Sequence, residues 1–311
     1  MNDLSTWGIV MGLTSAFTWA LSSFLFDRIF RNTPPQTRPS AAGANLFKNS
    51  LALGVFALGW LLWSEAAPSG EDFRGLLLSG FLGFALADTF FFVAIGLCGV
   101  QLAAMIGLLN VPVATLLSWA LLGERPTATV VASMGIVLTG VILVILDQRE
   151  QAHHDAKQRR LGVMFAVANA IVLAYSVVKG HESGGHVATS VATTVRLLGG
   201  VVGAFLVAVI WGLQRKRNPV AEVRELTRPY RTRSLWKSLA IASLFGSVLG
   251  LFPYHEALRL LPGGVSALTF ACTPLFLLPI GLATGDRPGW KTIVGTLIGL
   301  VGVAGVLDLK F

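Results

Sequence analysis

"LLGERPTA" at residues 121–128 and "ATGDRPGW" at residues 283–290 spell Gly-acid-Arg-Pro twice in one chain of 311 residues. Sliding the second half back by 162 positions superposes Gly123 on Gly285, Glu124 on Asp286, Arg125 on Arg287 and Pro126 on Pro288, and carries Pro112 onto Pro274 and Gly140 onto Gly302. The chain is a duplication. Upstream, Lys48 in "NLFKNSLALG" falls opposite Arg196 in "TTVRLLGG" at a slightly shorter offset, so the first loops of the two halves differ in length.

Around these marks the sequence is apolar. With 54% hydrophobic and 13% charged residues and a mean hydropathy of +0.69, it reads as a multi-pass integral membrane protein. A helix crossing about 30 Å of hydrocarbon needs about 20 apolar residues. Ten segments meet that requirement, at 7–26, 44–63, 75–97, 99–122, 127–146, 161–179, 190–213, 236–258, 263–284 and 289–308. The expected fold is all-α, with a first five-helix repeat over 1–147, a charged linker at 148–160 and a second five-helix repeat over 161–311. "MNDLSTWG" is acidic at Asp3 and has no basic start, so the first segment reads as a span rather than a cleaved signal. Ten spans with short connections leave no room for a soluble catalytic domain, and function is expected inside the bundle. Cys98 and Cys272 stand apart in apolar sequence, which indicates neither a disulfide framework nor a metal site. The net charge of +8 sits largely in loops, where Lys and Arg report orientation and contact with anionic lipid rather than nucleic acid.

Five spans per repeat is an odd number. The second copy therefore enters from the opposite face, and the halves are expected to be related by a pseudo-two-fold axis in the membrane plane, the arrangement of many secondary transporters. Two such halves can form inward-open and outward-open states of comparable energy by exchanging conformations about a central site. With a basic residue in the second helix of each repeat (Lys48, Arg196), a proline in the fourth (Pro112, Pro274) and "GERP" or "GDRP" opening a Gly-rich fifth, the chain resembles the EamA-type transporters of the drug/metabolite transporter superfamily over essentially its full length. The resemblance implies a cavity lined by the first, third and fourth helices of each half and peripheral fifth helices. It also implies a small-molecule substrate, such as an amino acid or an amine, often exported, with no cofactor; an inner or plasma membrane is the expected location.

Orientation divides the two lines of reasoning. Connections after the odd-numbered spans, with the lysines at the span ends beside them, hold seventeen Lys and Arg, against five counted likewise for the even-numbered connections and tails, the remaining two being Lys48 and Arg196. The positive-inside rule then puts both termini outside, whereas the resemblance implies both inside.

Asp88, in "GFALADTFFFVAIG", lies about 20 Å along its helix from Gly75 and about 14 Å from the next connection at 1.5 Å per residue. An acid at that depth needs a partner or a wet cavity. It reads either as a substrate-amine contact or proton-coupling site, or as a structural hydrogen bond; its counterpart in the second half falls around Gly250. Lys48 and Arg196 stand near helix ends, where they either snorkel to the interface or gate the cavity mouths. His255 and Glu256, in "LFPYHEALR", lack the second histidine of a zinc helix, because residue 259 is Arg. They remain a polar rim or a proton relay. "HESGGH" (His181, Glu182, His186) reads as a flexible turn rather than a metal site, and His153 and His154 as solvated.

Asn110 and Cys272 are repeat partners just before Pro112 and Pro274, at bends that make plausible cavity walls. Trp19, Asn169 and Tyr175 lie on the first helix of each half and are candidates for stacking on or hydrogen-bonding a substrate. Gly123, Pro126, Gly285 and Pro288 read as structural hinges, with each glycine ending a fourth helix and each proline in the first turn of a fifth. Gly295, Gly299, Gly302 and Gly305 form one smooth face for close packing within the monomer or in a homodimer. A secondary transporter leads this reading. A lipid or carrier-lipid flippase of the same fold is the alternative, and an intramembrane enzyme lacks a nucleophile-base pair, a metal motif or a second deep carboxylate beside Asp88.

Overall fold

The computed structural model describes residues 3–63, 65–122, 125–150, 156–184, 187–214, 219–260, 269–285 and 288–306. The apolar runs fold as helices, and no strand occurs among the described residues. The first half comprises α1 (Asp3–Asn32) and α2 (Ala41–Trp63). Its third segment is built from α3 (Gly70–Gly80), a π-helical stretch at Phe81–Ala87 and α4 (Asp88–Cys98), its fourth from α5 (Val100–Gly107) and α6 (Asn110–Leu122), and it ends in α7 (Ala128–Glu150). The second half has α8 (Ala156–Gly184) and α9 (Thr189–Gln214), then a connection carrying α10 (Pro219–Leu226) and α11 (Arg228–Arg231). Its third segment is α12 (Arg233–Ser243), a π-helical stretch at Leu244–Val248 and α13 (Leu251–Leu260), followed by α14 (Thr273–Ala283) and α15 (Trp290–Val306).

Eight helices are long and apolar enough to cross a membrane, and Thr269–Ala283 and Trp290–Gly305 are shorter apolar helices. The chain is therefore an all-helical, multi-pass integral membrane protein, and these two shorter helices are the described parts of the last two expected segments. Span ends moved outward where charged residues continue a helix: α1 runs to Asn32 and buries Asp27, and α7 buries Asp147 near its end. The segment expected as one span at 99–122 is interrupted by a turn at Leu108–Leu109, because Pro112 has no backbone N–H to donate to the carbonyl four residues before it.

Two glycines do conformational work. Gly99, at φ +85°, joins α4 to α5 with no intervening loop, and Gly285, at φ +93°, follows the end of α14. Gly123 lies outside the described residues. Pro126 and Pro288 precede their helices by two residues rather than sitting in the first turn, because Thr127 takes the capping position of α7, its Oγ1 accepting from Val130 N at 3.3 Å. In the other half Gly289 has no side chain to do this. Asp147, from the end of α7, accepts from Thr292 N at 2.9 Å and also from the Thr292 hydroxyl, supplying the cap and a favourable charge at the α15 N-terminus from across the interface.

α7 and α15 are the closest-packed pair. A Cβ at Gly140 would meet Gly299 N at 2.5 Å, and one at Gly302 would meet Val137 N at 2.5 Å. Gly305 faces Ser133, and Gly295 faces Leu143 and Val144. Residue numbers fall along α7 as they rise along α15, so the two fifth helices run antiparallel. The glycine face of α15 is thus covered within the chain, by α7 at Gly295, Gly302 and Gly305 and by Met105 and Leu108 at Gly299.

The halves also interlock crosswise: α1 lies against α13 and α14, and α8 against α3, α4, α5 and α6. The main apolar core, with Phe26, Phe30, Phe92, Met105 and Leu239, joins these elements across both repeats.

Candidate functional site

Both third segments are π-helical at matching places. The stretch at Phe81–Ala87 shifted by the repeat spacing covers Leu244–Val248. A π-turn leaves carbonyls out of the i to i−4 ladder, and in an apolar bundle each needs another donor. In the first half α2 supplies them. Asn45 Nδ2 donates to Phe84 O at 2.7 Å and Asn49 Nδ2 to the same oxygen at 2.8 Å, with Asn45 also donating to Thr89 Oγ1 at 2.9 Å.

The first helix of each half then bonds the third segment of the other. Ser22 Oγ donates to Ala242 O at 2.7 Å and Ser15 Oγ to Gly250 O at 2.8 Å. Ser176 Oγ donates to Ser79 O at 2.7 Å and Asn169 Nδ2 to Ala87 O at 2.9 Å. The four bonds form two related pairs. Asn169, a candidate substrate contact by sequence, is engaged in one of them.

Asp88 opens α4 directly after the first π-stretch and is buried. Its Oδ2 accepts from Lys48 Nζ at 2.7 Å, and Lys48 Nζ also donates to Asn49 Oδ1 at 2.9 Å. Lys48 is 4% exposed, so it turns into the bundle rather than out to the interface. The reason is local: the carboxylate and the Asn49 amide give the ammonium two acceptors that lipid cannot.

Arg196, the repeat partner of Lys48, also turns inward. Its guanidinium stacks on the Phe84 ring at 5.0 Å, and Lys48 Nζ lies 5.8 Å from the same ring. The guanidinium runs beside Gly83 and Gly180, where a Cβ would lie at ordinary contact distance from it, 3.9 Å from an Nη and 3.5 Å from Nε, but would collide with Ser176 Oγ and Ser79 Oγ across the contact between the third segment and α8. Asp88 and Tyr254 are within electrostatic reach of Arg196. Unlike Lys48, Arg196 makes no hydrogen bond to a described residue through its buried Nε.

On the opposite wall, His255 Nδ1 faces Leu251 O at 2.8 Å. A carbonyl only accepts, so Nδ1 carries a proton, and Nε2 lies 3.3 Å from the Thr193 hydroxyl. His255 is thereby tied to α9 one turn from Arg196. Its neighbour Tyr254 packs on Phe270 at 5.2 Å between ring centres, and Phe270 packs edge-on to Trp19 at 5.6 Å. Trp19 in turn lies against Gly250, with its buried Nε1 unpartnered among the described residues.

The structure therefore gathers Asp88, Lys48, Arg196, His255 and Trp19 into one region. Glu256 is half-buried beside His255 on α13. Asn110 and Cys272 flank the breaks of the two fourth segments, and Pro274 O accepts from Gln101 at 3.3 Å, joining α14 to α5. Tyr175 stands apart, 40% exposed on the outside of α8. His153, His154 and His186 lie outside the described residues, and no cluster with metal-binding composition occurs among those described. Sequence reasoning missed Phe84, Thr193, Tyr254 and the asparagine pair Asn45 and Asn49. The signal for the asparagines was available: two amides one turn apart in an apolar helix demand buried partners.

A profile of the EamA-like transporter family matches residues 6–146 and again residues 160–308. The chain belongs to the EamA-like transporter family. Both copies of the family unit thus lie in one polypeptide, in keeping with the drug/metabolite transporter superfamily. This EamA-like chain is also similar to a solved crystal structure at 19% identity and a TM-score of 0.61, covering 96% of this chain and 95% of the other, a likeness that shows the fold. No curated protein sequence matches it. Membership in a transporter family implies transport rather than catalysis.

Proposed function

We propose that this EamA-like protein is a secondary exporter of small metabolites of about amino-acid size, working by alternating access between two inverted five-helix repeats in an inner or plasma membrane. The observation that carries the reading is the reciprocal docking of the halves. Each first helix holds the π-turned third segment of the opposite repeat through paired hydrogen bonds, and the fifth helices meet antiparallel. Inverted repeats that exchange equivalent contacts have two related packings available, which is what alternating access requires.

The substrate site belongs beside Lys48, Asp88 and Arg196, at the apolar cluster that holds Phe84 of the first π-turn and Val248 of the second. Asp88 is already held by Lys48, so a simple amine contact through this carboxylate requires that pair to open. Proton coupling would act on the same pair. A flippase of the same fold is the second reading: the groove of about 370 Å³ between α3 and α9, lined by Phe73, Leu77, Leu78, Phe81, Leu198 and neighbouring apolar residues, suits an acyl chain rather than a headgroup.

The test is solute efflux from proteoliposomes containing the full chain, against amino acids, amines, organic acids and lipid-linked sugars, with and without a pH gradient. Movement of small solutes that Asp88→Asn alters in rate, range or pH dependence is the expected result. Turnover of a membrane substrate with no solute movement would sink the proposal.

A further inference from the structure

We infer that the site recognises the carboxylate of a small organic acid through Arg196, so that net monoanionic acids with an apolar or aromatic body are preferred over amines and zwitterions. The inference rests on the transporter reading above and concerns the same site. It starts from charge. Two cations, Lys48 and Arg196, and one carboxylate, Asp88, share the Phe84 ring region. Lys48 has Asp88 as its ion-pair partner at 2.7 Å; Arg196 has no ion pair with a described residue.

An arginine inside an apolar bundle without a paired anion is costly, and the cost is recovered when a carboxylate arrives. The guanidinium is suited to that task because its planar fork can give a carboxylate two parallel charge-assisted hydrogen bonds. Tyr254, within its electrostatic reach, can add a hydroxyl donor. Trp19 Nε1 is buried and unpartnered among the described residues, and Tyr254 makes ring contacts but no hydrogen bond with a described residue.

A surplus of donors matches a ligand rich in acceptors. The connected rings of Trp19, Phe270 and Tyr254, with Phe84 in the same apolar cluster as Trp19, supply a surface for the ligand's apolar body. A zwitterion fits less well because its ammonium would need the carboxylate that Lys48 already holds. A single free arginine also suits one negative charge better than a dianion.

The experiment uses purified full-length protein in phosphatidylcholine proteoliposomes. Uptake of radiolabelled benzoate and phenylacetate is compared with benzylamine and phenylalanine, and thermal shifts in detergent report binding of the same four compounds. The expected result is transport and thermal stabilisation by the two acids, at least tenfold weaker for the amine and zwitterion. Arg196→Gln should lose the acid preference, and Arg196→Lys should keep the preference for anions while raising KM severalfold.

Efflux of phenylalanine or benzylamine without the acids would overturn the anion preference and leave the transporter reading standing. No movement and no thermal shift with any of the four would overturn this inference without bearing on substrates outside the panel. Stabilisation by phosphatidylglycerol vesicles but not by free acids would also overturn it, assigning Arg196 to a lipid headgroup. If Arg196→Gln does not fold, the Arg196→Lys variant decides: an unchanged KM for benzoate counts against the arginine fork.

Discussion

The third segments of the two halves share a π-turn and a docking partner, yet differ at the position where the first carries Asp88 and the second Gly250. Asp88 is accommodated because Lys48 and Asn49 complete its ion pair on α2. At Gly250 a Cβ would meet Gly246 O at 2.2 Å and Trp19 Cδ1 at 2.7 Å, so the second half has no space for any side chain there. The duplicated scaffold holds charge on one side and an aromatic ring on the other. An inverted-repeat protein can thus keep symmetric mechanics while its chemistry becomes asymmetric.

The sharpest way to break this comparison is to remove the charge. Asp88→Ala leaves the buried Lys48 ammonium unpaired and is expected to cost about 3–5 kcal/mol. Adding Lys48→Met should recover most of that loss, since an apolar pair of similar volume replaces an orphaned charge. Thermal or denaturant unfolding of the detergent-solubilised chain measures both. If the double variant is as unstable as Asp88→Ala alone, the pair is not what holds the first half together.

How much of this was legible in sequence follows from the range of each interaction. The duplicated "GERP" and "GDRP" marks, the broken fourth segments and the glycine face are local patterns, and they gave the helix order and the repeat. The π-turn at "FLGFALA" looks like continuous helix because its cause is non-local, two amides reaching from α2 to Phe84 O. Asp27 and Asp147 read as loop charges next to Arg28, Arg31 and Arg149, yet their helices continue and bury them. Asp88 was recognisable as deep, and Lys48 was the opposite charge on a nearby helix. Reading Lys48 as a snorkelling residue or a gate at the cavity mouth hid the pairing. Arg196 was hidden for the same reason, since nothing in one sequence shows that the Phe84 ring lies under its guanidinium.

A second comparison concerns the contact where the halves match. Gly140 and Gly302 are repeat partners, each with backbone of the opposite fifth helix 2.5 Å from where a Cβ would sit. Gly140→Val and Gly302→Val are therefore expected to destabilise by similar amounts, about 1–3 kcal/mol, by forcing α7 and α15 apart. Gly135, on α7 with nothing within 4 Å of its would-be Cβ, is the control. Gly135→Ala should be neutral or stabilise by up to about 1 kcal/mol through helix propensity. Unequal costs for the two valine variants would show that the α7 and α15 contact is less symmetric than its geometry.

The smallest expected effect tests the crosswise bonds one at a time. Ser22 donates to Ala242 O in the second half, and Ser176 donates to Ser79 O in the first, both at 2.7 Å. Interhelical hydrogen bonds in membranes are worth about 0.6 kcal/mol on average, with a maximum near 1.7 kcal/mol, and here each alanine variant also strands a carbonyl next to a π-turn. Ser22→Ala and Ser176→Ala should each cost about 1 kcal/mol in unfolding. Alternating access adds a requirement that stability alone does not: a bond made equally in both end states changes neither transport rate nor the balance between states. If these serines hold one packing and release the other, the two variants shift that balance in opposite directions, because each serine secures a different half. Accessibility of a cysteine introduced at each cavity mouth to a membrane-impermeant thiol reagent reads the balance directly, with Cys98 and Cys272 first replaced by serine. Parallel shifts in both variants would mean that the serines stabilise the bundle without taking part in the exchange.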